Sequence, residues 1–381
     1  MANVVTVISW AAVSGRRMSR HGLTDPLESI PSAAAAMCGT HAQVMTAAEL
    51  SLGLRVTGAT RSEVSAALWD DRSIVKTVGL RGTLHLFRTE DLPWWMAAFE
   101  ALPRPNNQAW DVRLDAAQVD VVLGALESAV QERELTIDEL DAEVAVRCGD
   151  WAAAQVMPAF GDFWPRWRQA IGAAAYRGVL CFGPNRGRRV TYTSVQRWLP
   201  AARCVDSADA LRAVVHAYLH AYGPARPEHL AQWLAIPTPL ARSLFANADL
   251  DEVELEGVIA YVNRGDTDFD DEVAPVRLLP YFDAFVVGSH PRPLLFPGRA
   301  AERARARTQA GNFPVLLVDG EVAGVWHQKR SGSRIAVTVE ALGRLTASRR
   351  RSVETEAERI GTIMGGRVEL TFGTVTVGPH A

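Results

Sequence analysis

His41 and Gln43 stand two residues apart, with the small apolar Ala42 between them. An imidazole can accept a proton or orient water, and a carboxamide can hold water through both its donor and its acceptor. Two such groups aimed at one water suit hydrolysis of a bond whose leaving group departs easily. The surrounding run is apolar and helix-like, and that raises a geometric difficulty. On a helix, residues i and i+2 diverge by about 200° and share no face. They converge only at a helix end or break, and Gly39-Thr40 just ahead supplies such a terminus. Taken alone, the pair fits a satisfied polar core or a cap as well as it fits catalysis.

A second motif, Arg81-Gly82-Thr83-Leu84-His85-Leu86, follows the first. Arg81, Thr83 and His85 are placed either to contact phosphate and line a site or to shape a tight turn. Between the motifs the chain reads as a helix-turn-helix, with Ser62 to Trp69 as the recognition helix and Thr60 or Ser62 as its N-cap. Alternation then predicts strands at Ile74–Val78 and Thr83–Phe87.

The same grammar of helix, turn, helix and strand pair recurs twice. Val119–Gln131 and Thr136–Arg147 read as helices, with Thr136 and Glu139 at capping-box spacing. The run Arg166–Arg177 leads into a hairpin whose tip carries Arg186, Arg188 and Arg189. These three read as phosphate contacts or a groove-inserted loop, or else as a solvated tip. Ala208–Tyr222, Arg226–Leu234 and Pro239–Ala246 are the next helices, before a hairpin around Glu256-Gly257. The pattern is that of winged helices in tandem, so the expected class is α+β. From Val276 onward the chain turns strand-rich, with Asp319-Gly320 as a strong hairpin turn and Ser352–Met364 as one helix. The expected units are 1–103, 104–205, 206–273 and 274–381.

Charge is distributed unevenly. The net charge is only −3, yet Phe163–Val205 holds eight arginines and no acid. His290–Arg351 carries twelve basic residues against four acidic, while Asn247–Glu272 carries ten acids against Arg264 alone. Such a chain can show a basic face to nucleic-acid phosphates while staying near neutral overall. Val13–His21, with Arg16, Arg17 and Arg20, reads as a further contact or as a mobile connector. No apolar run is long enough to span a membrane. Val4–Val13 is short and has its positive charges after it, the wrong order for a secretory signal. The four cysteines lack metal-ligand spacing, which fits reduced thiols in a cytoplasmic protein.

Four stretches together resemble the winged-helix DNA glycosylases of the AlkZ and YcaQ type. They are His41-Ala-Gln43, Arg81-Gly-Thr-Leu-His-Leu86, Leu278-Leu-Pro-Tyr-Phe-Asp-Ala284 with Arg292, and Val315-Leu-Leu-Val-Asp-Gly-Glu-Val-Ala-Gly-Val-Trp326. The resemblance spans essentially the full length. It implies three tandem winged-helix units around a barrel-like β domain, forming a concave DNA channel. It also implies hydrolysis of the N-glycosidic bond of bulky N-alkylated purines such as N7-alkylguanine in duplex DNA. The setting it implies is repair of, or self-resistance to, genotoxic natural products, with no cofactor or metal. Family members commonly carry Gln-x-Gln or Gln-x-Asp at the catalytic pair. Gln43 matches the second position of the commoner form, and His41 replaces the first.

The implied chemistry suits the pair. An N7- or N3-alkylated purine is cationic and leaves readily, so a water held against the deoxyribose C1′ is the main requirement. Of forty basic residues only Lys76 and Lys329 are lysines, so a strand-cleaving Schiff base has few candidate amines. A monofunctional enzyme is expected, acting as a monomer on duplex DNA in the nucleoid. Arg292 is expected to touch DNA. Asp283 is expected to orient a catalytic group or a DNA-contacting arginine, or to form a buried ion pair with Arg292. Two other readings remain at this point: a winged-helix transcription regulator and a catalytically silent lesion-binding protein.

Overall fold

A computed structural model describes residues 6–104, 108–159, 161–200, 204–269 and 275–380. Parts of four sequence expectations lie outside them: Val4 and Val5 of the apolar start, Arg203 of the arginine-rich stretch, Asp270–Glu272 of the acidic run, and the 273/274 boundary. The fold is mixed α+β and divides into two compact units, one discontinuous (1–67 with 215–381) and one continuous (68–214).

The discontinuous unit begins with a strand, Thr6–Ile8, and a helix, Trp10–Arg20. The stretch read as a contact or connector is therefore ordered helix. Its arginines are bound within the unit: Arg16 and Arg20 pair with Asp266, and the buried Arg17 donates to the carbonyls of Gly223 and Pro224. Helices Ile30–Ala36, Met45–Gly53 and Arg61–Trp69 follow. After position 215 come the end of the Ser207–Tyr222 helix, helices Pro227–Leu234 and Thr238–Ala246, and a hairpin of Leu250–Leu255 with Val258–Asn263. Thr6–Ile8 adds to this hairpin in parallel, so the two separated halves of the unit share a sheet.

Next is a five-stranded sheet in the linear order Arg277–Leu279, Val315–Val318, Glu321–Ser331, Arg334–Ala341, Arg367–Phe372. The barrel-like domain expected from the resemblance is thus an open sheet. The reason is its last connection. Helix Ala347–Met364 crosses over to make the final pair parallel and adds its strand at the edge, where nothing pairs it back to the first strand. The Asp319-Gly320 turn forms as expected, with φ of +52° and +75°, the positive pair that a two-residue hairpin turn demands. In Arg334–Ala341, Ile335, Val337 and Val339 are buried in alternation, which fixes the sheet's inner face. Thr346 caps the crossover helix, and Val353, Ala357, Ile360 and Met364 recur at helical spacing against that face. One core joins them to Trp10, Leu50, Val253, Phe285 and Trp326.

The continuous unit carries the hairpin Ile74–Val78 with Leu84–Arg88 and the helices Leu92–Ala101, Ala116–Val130 and Ile137–Cys148. Hairpins of Gln155–Pro158 with Phe163–Pro165 and of Cys181–Arg186 with Arg189–Thr193 follow. Both long helices start in reciprocal capping boxes, Asp115 with Gln118 and the expected Thr136 with Glu139. Trp167, wholly buried, is the largest side chain in a core with Val122, Leu126, Leu140 and Leu180. Among the described residues no disulfide forms, and no helix is long and apolar enough to cross a membrane.

Candidate active site

The helix-like reading of the His41 segment is wrong, and the correction resolves the geometric difficulty. Helix Ile30–Ala36 ends with Cys38 at φ +56° and Gly39 at φ +98°. Gly39 N–H reaches back to the Ala34 carbonyl and Cys38 N–H to that of Ala35, the paired bonds of a Schellman end. The chain then runs extended through Thr40–His41 before Met45–Gly53 begins. Only these two residues are strand; Ala42 is irregular and the chain bends at Gln43. Thr40 and Ala42 are buried, His41 is half-buried and Gln43 is exposed. Both polar side chains thus keep solvent access on one short non-helical segment.

Beneath it is a buried polar layer. Asp283 and Arg55 form a doubly hydrogen-bonded ion pair at 2.8 and 2.9 Å, both side chains fully buried. Ser51 Oγ donates to Asp283 at 2.7 Å, and Arg55 also donates to the Ser51 carbonyl at 2.8 Å. Burial opposes the charge on Asp283. The field of Arg55 and the hydrogen bonds from Arg55 and Ser51 outweigh it and hold the carboxyl below its usual range. Ser51 belongs to the helix that follows Gln43, so its bond to Asp283 ties that helix to the start of helix Ala284–Gly288. Asp283 caps helix Ala284–Gly288 through Phe285 N–H at 3.0 Å.

The residue before Asp283 completes the site. Phe282 sits at φ +55°, its N–H bonded to the Gly311 carbonyl at 2.8 Å. Its ring lies 4.6 Å from the His41 ring, tilted by 32°. On the inner side, Tyr222 donates to the Met37 carbonyl at 2.7 Å and fixes the turn from which the segment springs. His21 packs edge-on against Tyr222 and Phe285, and burial depresses its pKa to about 3, so this imidazole stays neutral.

The other expected site residues fall as follows. Arg292 does not pair with Asp283. Its guanidinium instead binds the carbonyls of Val286, Val287 and Ser289 at the end of the Ala284–Gly288 helix, and Arg55 takes the carboxylate. In the continuous unit, Arg81 is exposed at φ +56° on the hairpin turn. Thr83 closes that turn through the Leu80 carbonyl at 2.9 Å. His85 is 2% exposed, bonds the Thr83 carbonyl at 3.1 Å and stacks on Phe87, so its ring serves the turn. Arg186 pairs with Glu139 and Arg189 with Asp138, while Arg188 has no ion pair among the described residues.

Sequence reasoning missed Arg55, Ser51, His21 and Tyr222. Ser51 and Tyr222 lie in helices, and Arg55 and His21 just beyond helix ends, and each has its partner far along the chain, 228 positions away for Arg55 and Asp283. Phe282 was visible in its motif, and only its contact with His41 was not. Among the described residues, no three His, Cys, Asp or Glu side chains gather as metal ligands. Two clefts, about 460 Å³ around Met157, Trp164 and Tyr192 and about 620 Å³ around Arg226, Phe245 and Tyr261, do not include His41.

With this geometry in hand, the comparisons are specific. A family model described as DNA glycosylase AlkZ-like matches residues 34–363. The interstrand DNA cross-link repair glycosylase of Streptomyces sahachiroi is 30% identical over 358 residues, covering 84% of this chain and 87% of that protein. The solved structure of the Streptomyces sahachiroi DNA glycosylase AlkZ superposes with a TM-score of 0.78 at 27% identity, over 97% of this chain and 100% of that one.

Proposed function

Since the chain belongs to the AlkZ-like DNA glycosylase family, we propose that it is a monofunctional enzyme that removes bulky N7-alkylguanine and related N-alkylated purines from duplex DNA. Repair of, or self-resistance to, genotoxic natural products is the purpose that fits. The observation that supports the reading is that His41 and Gln43, a proton acceptor and a water-holding amide, both keep solvent access on the short non-helical stretch between two helices, with Phe282 packed against the imidazole.

The chemistry runs as a hydrolysis. Alkylation at N7 leaves the purine cationic, so the C1′–N9 bond breaks with its electron pair moving onto the base, which departs neutral. The deoxyribose becomes oxocarbenium-like, and the water held by His41 and Gln43 adds its oxygen to C1′. The water's proton passes to His41 or to solvent, leaving an abasic sugar. A labile bond of this kind needs orientation of water more than a strong acid. The scarcity of lysine supports hydrolysis without strand cleavage.

The helix pairs followed by hairpins support three winged-helix units, with the exposed Arg81 and Arg188 as candidate backbone contacts of a monomer acting on chromosomal DNA in the cytoplasm. Arg292, expected to touch DNA, instead has its guanidinium bound to the carbonyls at a helix end. The decisive experiment is base release from duplexes carrying N7-methylguanine, a bulky N7-aryl adduct or an interstrand cross-link, scored as abasic sites after mild alkali. Gln43→Ala is expected to slow release by about 10²–10⁴-fold, the usual worth of a positioned acid or base, while largely sparing DNA binding. His41→Gln tests basicity, and retained activity would assign the residue to water positioning. Undiminished turnover by Gln43→Ala removes the pair from catalysis. Tight binding by the wild type with no release from any duplex leaves a lesion-binding protein.

A further inference from the structure

The segment after the last strand brings a second imidazole to the candidate site. His380 lies edge-on to Phe282, with ring centroids 5.4 Å apart, and to Tyr281, at 5.3 Å. Tyr281 and Phe282 are 6.3 Å apart, and Phe282 in turn faces His41 at 4.6 Å. The placement is held by a reciprocal clamp. His380 N–H donates to the Asn312 carbonyl at 2.8 Å, and Asn312 Nδ2 donates to the His380 carbonyl at 2.8 Å. The neighbouring Gly311 accepts the Phe282 N–H, so one loop fixes both rings. Only glycine serves there: φ is +97°, and a Cβ would stand 2.7 Å from a Val287 methyl.

The three rings differ from core aromatics such as Phe285 and Trp326, which are wholly buried. Tyr281, Phe282 and His380 each remain partly exposed. Aromatic surface held open beside a water-orienting pair is stabilised when another planar apolar group covers it. Stacking of that kind tolerates any ring system, since every aromatic ligand offers a π-face.

We propose that His380, with Tyr281 and Phe282, forms a stacking shelf for the planar aromatic part of the adduct, and that His380 is a specificity-determining residue. A methyl group on N7 is too small to reach such a shelf, whereas a fused-ring substituent covers it. The proposal rests on the glycosylase reading of His41 and Gln43.

The test compares kcat/KM for release of an N7-(polycyclic aryl)guanine and of N7-methylguanine from otherwise identical duplexes, with wild type, His380→Ala and His380→Phe. The preference for the aryl adduct is expected to fall about tenfold in His380→Ala, chiefly through KM, as loss of one stacking partner implies. It is expected to recover in His380→Phe, which keeps a ring. An equal fall on both substrates, or an unchanged preference, overturns the shelf. Equilibrium binding of aryl-adducted against unmodified duplex is measured on the same variants. If the wild type releases no base, the hydrolytic reading fails by itself. The shelf then stands if His380→Ala loses the binding preference, and falls if it does not.

Discussion

Arg55 and Asp283 carry opposite charges with both side chains fully buried, and Ser51 Oγ and the Phe285 N–H also donate to the carboxylate. Removing one member leaves the other charged and unpaired, which costs roughly 3–5 kcal/mol in buried pairs. Arg55→Met is therefore expected to lower folding stability by about that amount, and Arg55→Met with Asp283→Leu by markedly less, because neither charge is then stranded. Urea unfolding of the two variants checks this, and equal losses would show that packing rather than charge holds the layer. Base release should fall in the single variant as the Phe282 contact with His41 loosens. At this scale the sequence was legible where a motif carries its own neighbours, as Phe282 and Asp283 stand together in Leu278–Ala284. It was illegible where chemistry is local charge balance, because nothing near Arg55 in the chain marks it as the partner of Asp283.

Short extended segments and helix ends decide what the elements do. The Schellman end at Cys38-Gly39 breaks an apolar run that reads as helix, and the non-helical stretch that follows leaves both His41 and Gln43 with solvent access. Composition could not reveal this, since the apolar residues flanking the pair suit either period. Helix starts were easier, because capping has a sequence signature. At Thr136 the N–H donates to Glu139 Oε2 at 2.7 Å, and Arg186 donates to the other oxygen of Glu139 at 2.8 Å. Thr136→Ala is expected to cost about 1 kcal/mol in the continuous unit, read as a shift in its urea midpoint. An unchanged midpoint would show that the cap contributes nothing to the unit's stability, since alanine itself favours helix. Asp319-Gly320 was legible for a similar reason: few residues accept two successive positive φ angles.

Across the discontinuous unit, burial holds several histidines neutral. The pKa of His21 is depressed to about 3 and that of His229 to about 4, with His290 and His220 also lowered, in each case chiefly by desolvation. The unfolded chain takes up these protons near pH 6.5, whereas the folded chain does not. Between about 6.5 and 3 the unfolded state therefore binds more protons, and stability falls as pH falls, by about 1.4 kcal/mol per pH unit for a fully buried group such as His21. Urea midpoints should be level from pH 8 to 7 and decline by pH 5, with a shallower decline in His21→Asn; an unaltered slope in that variant would remove His21 from the account. The domain organisation was the least legible property, because no local signal announces that 1–67 and 215–381 make one unit. That arrangement governs how the protein emerges from the ribosome. The continuous unit is synthesised whole and can fold first, while the His41 segment waits for Phe282 and the helix behind it for Asp283, which lies 232 residues downstream of Ser51. A chain released early therefore carries His41 and Gln43 without the ring that packs on the imidazole or the buried ion pair behind it.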